Sequence, residues 1–377
     1  MIPLNRNLLP LTASSIRTYT SLANETPGCV KLTIGEPDLN TPDAVKAAAV
    51  AALHADRTHY APNQGNADLR RAIAAAETAR GNETKAEQVL ITVGASQALF
   101  TALLGILNPG EEVIVPTPAF PLYESLVTVA GGRVIPMDLT ETGFQITPEL
   151  LDKHMSDKTK AIILNSPNNP TGTVLNEASL AAVKKAVLGK PVFLICDNVY
   201  QQLSYGPCPD LSPDRELKDQ TILCQSFSKP WAMTGWRIGY LVCPEYVMDR
   251  LVLLSAAQIA SVPTFLQDAA LVALDTDTAQ MRQIYRRRRD YVSARLTAMG
   301  LAYPAPEGAF YIFPEIAGFG LTSEEFCTRM IKEAGVAAVP GSCFGTEGYI
   351  RISYCYSDEE LAKGMDRLEA FIQRLLP

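Results

Sequence analysis

A single lysine stands among residue types that bind phosphate in the stretch "SFSKPWAMTGWRIGY", which runs from position 226 to 240. Lys229 follows Ser226 and Ser228 and precedes Arg237. Hydroxyl groups suit a phosphate, as does an arginine, which stays protonated and binds two oxygens at once. A lysine amine that lies beside cations and is partly removed from water loses basicity and becomes a nucleophile toward aldehydes. An aldehyde that also carries a phosphate is pyridoxal 5′-phosphate, so the stretch predicts a site for this cofactor.

Polar residues also follow other short apolar runs, at the places where buried strands are predicted to end. These residues are Gly94, Ala95 and Ser96 after "VLITV", Asn168 and Asn169 after "AIILN", and Asp197 and Tyr200 after "VFLIC". A helix that starts at a strand end offers free N–H groups to a phosphate. Asp197 supplies the carboxylate that keeps a pyridine nitrogen protonated, and Phe120 in "PTPAFPLY" supplies an aromatic face for the ring.

The elements that must position these residues are short, apolar, β-branched runs, which are typical of strands buried on both faces. They occupy positions 89–93, 112–116, 133–137, 161–165, 192–196, 221–225 and 239–243. Helical patterns, for example at 96–107 and 177–188, lie between most of them. This alternation predicts an α/β fold with a seven-stranded, mostly parallel sheet between helices.

The pattern changes after residue 275, where a long helix carries "YRRRRDY" (285–291). Strands at 308–314 and 349–354, a helix around 322–335 and a closing helix follow. We predict a large cofactor-binding domain at 43–275, a smaller α+β domain at 276–377, and an N-terminal segment, 1–42, that joins the smaller domain. The run Arg286 to Arg289 is predicted to be a solvated helix face that makes ion pairs.

Composition restricts the classes of partner. The 377 residues carry a formal net charge of −7, which disfavours binding to nucleic acid. The sequence contains neither an apolar leader nor a window of about 18 apolar residues, so we expect a cytoplasmic protein that does not enter a membrane. The eight cysteines are scattered and form no CxxC pair, which disfavours a metal or disulfide framework. The glycine-rich motifs of dinucleotide and nucleoside triphosphate sites do not occur.

The ordered motifs of the chain resemble those of class I/II aminotransferases of fold type I. They are N-N-P-T-G, D-x-x-Y, S-F-S-K-x-W-x-M-T-G-W-R-I-G and R-I-S-Y. The resemblance extends from about Ser14 to the last helix. It implies transfer of an amino group between an L-amino acid and a 2-oxo acid by a ping-pong mechanism, with pyridoxal 5′-phosphate as the cofactor.

The resemblance also implies a role for each matching residue around the cofactor. Lys229 would form the covalent link to the aldehyde and later move the substrate's proton, while Asp197 would pair with the pyridine nitrogen. Asn169 and Tyr200 would bind the phenolic oxygen, and Phe120 would stack on the ring. The phosphate would be held by Ser226, Ser228, Arg237 and the backbone at Ala95 and Ser96.

On the substrate side, Arg351 would bind the α-carboxylate with two hydrogen bonds, next to the backbone of Gly35. The family works as a homodimer with shared active sites, and Tyr60 matches a tyrosine that reaches the partner subunit's phosphate. By overall similarity the chain resembles bacterial N-acetyl-diaminopimelate and aspartate or aromatic aminotransferases. Ser96 replaces a lysine that binds acidic side chains in one aspartate-specific subgroup, which weakens an aspartate-specific interpretation.

Two other functions stay open at this point. A pyridoxal-phosphate-dependent β-lyase, which breaks a carbon-sulfur bond on the same fold, would carry the same motifs. A ligand-sensing regulatory domain is a weaker alternative, because the chain is acidic and has no N-terminal DNA-binding module. Side-chain specificity is expected to depend on residues near the N-terminus such as Ser14, Ser15 and Ile16.

Overall fold

The protein is represented by a computed structural model that describes residues 2–11 and 15–375. Its α-helices are α1 (Ser15–Glu25), α2 (Asp43–His54), α3 (Ala67–Ala79), α4 (Gly94–Ile106), α5 (Leu122–Val129), α6 (Pro148–His154), α7 (Glu177–Val187), α8 (Glu245–Ile259), α9 (Thr264–Leu274), α10 (Ala279–Ala298), α11 (Ser323–Ala334) and α12 (Asp358–Leu375). Among these residues, no helix combines the length and the apolar character needed to span a membrane.

The strands of the described chain alternate with these helices. They are β1 (Val30–Lys31), β2 (Val89–Thr92), β3 (Glu112–Thr117), β4 (Arg133–Asp138), β5 (Thr159–Asn165), β6 (Phe193–Asp197), β7 (Thr221–Ser226), β8 (Gly239–Val242), β9 (Tyr311–Ile312), β10 (Val336–Ala337), β11 (Val339–Pro340) and β12 (Ile350–Ser353). All seven strand runs predicted for the middle of the chain are confirmed, with ends that differ by one or two residues.

The central sheet has seven strands in the order β2-β8-β7-β6-β5-β3-β4. Its pairs are parallel except at β8, which runs antiparallel to both β2 and β7. Strands β2, β7 and β8 are buried along their whole length, as continuous apolar runs between two layers of helices require. The carboxyl ends of β5, β6 and β7 therefore meet at one edge of the sheet, which carries the predicted site.

A three-stranded antiparallel sheet, β11-β12-β9, lies in the C-terminal part of the chain. The strand predicted at 308–314 is wrong in extent, since β9 covers only two of these residues. Ala309 adopts a φ of 57°, and a Cβ on Gly308 would lie 2.4 Å from the Pro167 side chain. The chain therefore turns tightly here before it enters the strand.

A two-stranded parallel sheet joins the N-terminal segment to the C-terminal part, because Val30 of β1 pairs with Val336 of β10. Arg288 on α10 connects the same two parts of the chain. Its guanidinium bonds to Asp38 at 2.7 Å and to Asp358 at 3.0 Å, and the residue is 6% exposed. The predicted ion pairs are therefore confirmed for Arg288, but the predicted solvation is wrong for this residue, whose buried guanidinium is paired with carboxylates.

Candidate active site

A cavity of about 700 Å³ opens at the carboxyl ends of the sheet strands, where ligands bind in open α/β sheets. It brings together predicted residues from separate parts of the chain. These are Gly35, Ala95, Ser96, Phe120, Asn169, Asp197, Tyr200, Ser226, Ser228, Lys229, Arg237 and Arg351. Tyr60 is not among the described residues that line the cavity, and its side chain is 90% exposed.

Lys229 follows the carboxyl end of β7 and projects its amine into the cavity. Its Nζ donates a hydrogen bond of 2.7 Å to the carbonyl oxygen of Gly35. Removal from water lowers the pKa of Lys229 to about 8, and the positive charges of Arg351 and Arg237 act in the same direction. A substantial fraction of the amine is therefore neutral near physiological pH, which is the state that attacks an aldehyde.

The start of α4 and the loop after β7 form a cradle of hydrogen-bond donors. Gly94 begins α4 with a φ of 72°, and a Cβ at this position would lie 2.8 Å from Nη2 of Arg237. The backbone N–H of Ser228 donates to Oγ of Ser226 at 3.0 Å, which holds the Ser226 hydroxyl next to the Ser228 backbone. A helix N-terminus, two hydroxyls and a guanidinium are the donors that a phosphate group requires, so the residues fit the phosphate of pyridoxal 5′-phosphate.

Asp197 ends β6 at the base of the cavity and is 3% exposed. Its Oδ2 accepts a hydrogen bond of 2.6 Å from the hydroxyl of Tyr123. Burial raises the pKa of Asp197 to about 6, while the bonds from Tyr123 and the Val199 backbone lower it. No lysine or arginine of the described chain pairs with this carboxylate. It is therefore an ionised, buried group without a counter-charge, which suits a protonated pyridine ring.

Tyr123 is a site residue that the sequence reasoning missed. It lies on α5, three residues after Phe120, and the two rings meet edge to face with centroids 6.0 Å apart. Tyr123 lies in the first turn of α5 and Phe120 lies two residues before the helix. Both line the cavity, and the Tyr123 hydroxyl reaches Asp197. The three-residue spacing in "PTPAFPLY" is the signal that was available for this contact.

Arg351 projects from β12 into the cavity and is 2% exposed. Nη1 donates to Oδ1 of Asn169 at 2.9 Å, and Nη2 donates to the carbonyl oxygen of Thr33. The guanidinium lies between the rings of Tyr311 and Phe344, 4.6 and 4.8 Å from their centroids. Within the described residues its Nε–H has no hydrogen-bond partner and its charge has no carboxylate. A buried cation with an unused donor is suited to an anionic ligand.

Tyr311 is a second residue that the sequence reasoning missed. Its hydroxyl lies 2.8 Å from the hydroxyl of Tyr200, and the rings meet edge to face. A Cβ on Gly35 would overlap the Tyr311 hydroxyl at 1.7 Å, so only glycine allows the backbone to pass this close. Tyr311 thus connects the Tyr200 side of the cavity to the Arg351 side. The run "GAFYIFP" indicated a strand here but not the direction of this side chain.

Of the residues expected to set side-chain specificity, Ser15 and Ile16 lie at the start of α1. Ile16 lines the cavity. Ser14 lies outside the described residues, and Ser15 is the first residue of α1. The role of these residues in side-chain specificity stays a prediction.

The family model "Aminotransferase class I and II" matches residues 27–368. The chain belongs to this aminotransferase family. It is 39% identical to a probable N-acetyl-LL-diaminopimelate aminotransferase of Bacillus subtilis (strain 168), over 98% of this chain and 95% of that protein. It is also 39% identical to an aspartate aminotransferase of Pyrococcus abyssi, over 96% of each chain.

Solved structures agree with the fold of this aminotransferase. The aspartate aminotransferase of Thermus thermophilus with maleate superposes with a TM-score of 0.93 at 36% identity, and the match covers 100% of both chains. The aromatic aminotransferase of Pyrococcus horikoshii superposes with a TM-score of 0.90 at 38% identity, over 95% of this chain and 100% of that one. The predicted fold type I, the transaminase activity and the use of pyridoxal 5′-phosphate are confirmed. The β-lyase alternative is not favoured.

Proposed function

We propose that Lys229 is the residue through which this aminotransferase carries its cofactor and moves the substrate's proton. The enzyme transfers an amino group between an L-amino acid and a 2-oxo acid. The observation that carries the assignment is a half-buried lysine with a pKa of about 8. It shares its cavity with the carboxylate of Asp197, which no lysine or arginine of the described chain pairs, and with the Nε–H of Arg351, which has no partner among the described residues.

The cofactor, when bound, supplies an aldehyde that takes up the amino group and a ring that withdraws electrons from the substrate's Cα. Ser226, Ser228, Arg237 and the start of α4 would hold its phosphate. Asp197 provides a fixed negative charge at the base of the cavity, and Tyr123 holds that charge in place. Asn169 and Tyr200 would donate to the phenolic oxygen, and Phe120 would contact the ring.

The substrate is oriented by Arg351, whose Nε–H is free to bind the α-carboxylate. The neutral amine of Lys229 then accepts the proton from the substrate's Cα. The same amine donates a hydrogen bond of 2.7 Å to the Gly35 carbonyl, which positions it in the cavity. Removal from water, together with the cavity's other cations, lowers the pKa of that amine to about 8 and so favours the neutral state required of a general base.

Reduction with borohydride tests the assignment of Lys229. Reduction of the yellow holoenzyme followed by peptide mapping should place the cofactor on Lys229, and Lys229→Ala should lose both the label and transamination. Lys190→Ala, which removes an exposed lysine outside the cavity, should keep both. A label on another lysine in the wild-type protein would overturn the assignment.

A shared active site in a homodimer is part of the proposal, and the exposure of Tyr60 supports it. A tyrosine that is 90% exposed in one chain gains most from burial against a second chain. In a shared site, Lys229 comes from one chain and Tyr60 from the other. We further propose a cytoplasmic location. We also propose that the chain divides into an N-terminal segment (1–42), a large domain (43–275) and a small domain (276–377), and the pairing of β1 with β10 supports the association of the first segment with the last.

Subunit complementation tests the shared site. Lys229→Ala and Tyr60→Asp are each expected to be inactive, the second because its carboxylate would repel the phosphate. A mixed dimer contains one intact site, so co-refolding should restore about a quarter of the wild-type activity for random pairing. If no activity returns although mass spectrometry confirms subunit exchange, Tyr60 acts within its own chain.

The β-lyase function is separated from transamination by one further assay. A lyase releases pyruvate from cystathionine without a 2-oxo acid acceptor, whereas a transaminase stops after a single half-reaction. Absorbance of the cofactor during exposure to a panel of amino donors, followed by 2-oxoglutarate or pyruvate, records both halves. We expect spectral cycling with the acceptor and no continuous release of pyruvate.

A further inference from the structure

The hydroxyls of Tyr200 and Tyr311 form a hydrogen-bonded pair at the wall of the active-site cavity. They lie 2.8 Å apart, and the two residues are 5% and 2% exposed. Among the described residues neither hydroxyl has another hydrogen-bond partner. Burial raises the pKa of Tyr311 to about 12 and the pKa of Tyr200 well above its ordinary value. Each oxygen therefore keeps its single proton through the neutral pH range.

The direction of this hydrogen bond follows from counting protons. In the proposed function the hydroxyl of Tyr200 donates to the phenolic oxygen of the cofactor. A tyrosine hydroxyl has only one proton to donate, so Tyr200 is then unable to donate to Tyr311 as well. The bond between the two residues must be donated by Tyr311 and accepted by the oxygen of Tyr200. Tyr311 therefore determines which way the proton of Tyr200 points.

The packing around Tyr311 holds its hydroxyl in this position. The residue belongs to β9 and pairs with Ser353 of β12. The centroid of its ring lies 4.6 Å from the guanidinium carbon of Arg351, and a Cβ on Gly35 would overlap its hydroxyl. The ring of Tyr200 meets it edge to face, with centroids 5.6 Å apart. Close packing on these sides fixes the ring and aims its hydroxyl at Tyr200.

We propose that Tyr311 is a positioning residue of this active site, which donates to the oxygen of Tyr200 and directs the proton of Tyr200 toward the phenolic oxygen of the cofactor. The inference rests on the proposed function, in which Tyr200 binds that oxygen. A hydroxyl that accepts a hydrogen bond is also a stronger donor, because neighbouring hydrogen bonds polarise each other. Tyr311 acts on the cofactor through Tyr200.

Replacement of Tyr311 by phenylalanine removes the hydroxyl and keeps the ring beside Arg351. The readout is the absorbance of the bound cofactor as a function of pH, recorded on the holoenzyme without substrate. This absorbance changes when the nitrogen that joins the cofactor to Lys229 loses its proton. A donor to the phenolic oxygen favours that loss, because it stabilises the negative charge left on the oxygen. Weakening the donor raises the midpoint, so Tyr311→Phe should raise it by about half a pH unit to one unit.

A double variant shows whether Tyr311 acts through Tyr200. Tyr200→Phe removes the donor itself and should raise the midpoint by at least as much as Tyr311→Phe. The double variant should match Tyr200→Phe, because no hydroxyl is left for Tyr311 to direct, whereas independent effects would add. Tyr354→Phe is the matched control. It removes a buried hydroxyl that lies 3.2 Å from that of Tyr205, in a second tyrosine pair outside the cavity lining, and should leave the midpoint unchanged.

The charges around the pair are the same in the wild type and in Tyr311→Phe. The titratable and charged groups that act on the two hydroxyls include Arg351, Asp197 and Cys355, and all three are kept. Because the ring contact with Arg351 is also kept, calorimetry should show that propionate binds to the variant holoenzyme within about twofold of the wild type. A larger loss of propionate affinity would place the effect of the hydroxyl at Arg351 and overturn the inference.

Three results of the absorbance titration would also overturn it. In the first, Tyr200→Phe raises the midpoint and Tyr311→Phe leaves it unchanged. In the second, the two shifts add in the double variant. In the third, Tyr354→Phe gives the same shift as Tyr311→Phe, which would attribute the effect to loosened packing. Failure of the proposed function is recognised separately, because Tyr200→Phe would then leave the midpoint unchanged.

Discussion

Replacement of Arg351 by lysine tests the substrate side of the site most directly. The change keeps the positive charge on β12 and removes the planar fork of N–H donors. In the structure two of those donors are used by the protein, toward Asn169 and Thr33, and the Nε–H is unused. A lysine at this position has three donors on one nitrogen and is unable to bond both residues and two carboxylate oxygens in this geometry.

The expected cost follows from the contacts that are lost. One charge-assisted hydrogen bond contributes about 1.5–3 kcal/mol, and Arg351→Lys removes at least the second bond to the carboxylate. The stacking of the guanidinium between Tyr311 and Phe344, at 4.6 and 4.8 Å, is lost as well, but it is made without substrate and therefore bears on the stability of the fold rather than on kcat/KM. A loss of about 2 kcal/mol corresponds to a factor of about 30. We therefore expect kcat/KM to fall between about tenfold and a hundredfold.

The assay follows the absorbance of the bound cofactor during single half-reactions with an amino acid and with a 2-oxo acid. Both directions should slow by a similar factor, because the α-carboxylate is common to the two substrates. Affinity for pyridoxal 5′-phosphate should stay unchanged. Arg288→Lys serves as the matched control, since Arg288 is also a buried arginine and its partners Asp38 and Asp358 lie outside the cavity lining.

Unchanged kinetics with amino acids in Arg351→Lys would refute the role of this residue. An equal loss in Arg288→Lys would attribute the effect to general destabilisation, and thermal unfolding of the two variants would make that visible. Loss of cofactor affinity together with substrate affinity would place Arg351 among the cofactor ligands instead.

Three further predictions concern the supporting residues. Tyr123→Phe removes a hydrogen bond that stabilises the ionised Asp197, so the pKa of that carboxyl should rise above about 6. When cofactor binding to the apoenzyme is titrated with acid, the variant should lose its affinity at a higher pH than the wild type does. Gly94→Ala should weaken binding of the cofactor at least about tenfold in equilibrium dialysis, because the methyl group meets a guanidinium at 2.8 Å and φ is 72°. Glu77→Ala leaves the buried Tyr240 hydroxyl without its 2.6 Å acceptor and should lower the free energy of unfolding in urea by about 1–3 kcal/mol, without changing substrate selectivity.

Much of the fold could be predicted from local pattern, because the strands of the central sheet are continuous apolar runs bounded by turns. The residue at the end of such a run lies at the edge of the sheet, so the positions of Asp197, Ser226 and Asn169 near one another followed from the order of the elements. The strands of the small sheets were harder to predict. Strands β1, β9 and β10 have only two residues each, which is too short for any period to appear.

The partners of the site residues could not be read from the sequence. Tyr311 meets Tyr200 across 111 positions, and Arg351 meets Thr33 across 318. The burial of Arg288 could not be predicted for the same reason, since its partner Asp38 lies 250 positions away in the sequence. Contacts at such separations depend on how the elements pack, and neither propensity nor local spacing encodes them.

The sequence by itself determined which chemical groups are available. They are the amine of Lys229, the carboxylate of Asp197, the phosphate-binding donors and the guanidinium of Arg351. The tertiary structure decided which of these groups are desolvated and which keep an unused donor or charge. Burial lowers the pKa of Lys229 to about 8, and among the described residues the Nε–H of Arg351 has no hydrogen-bond partner. Desolvation and pairing are properties of the space around a group, and that space is formed by distant segments that meet only when the chain has folded.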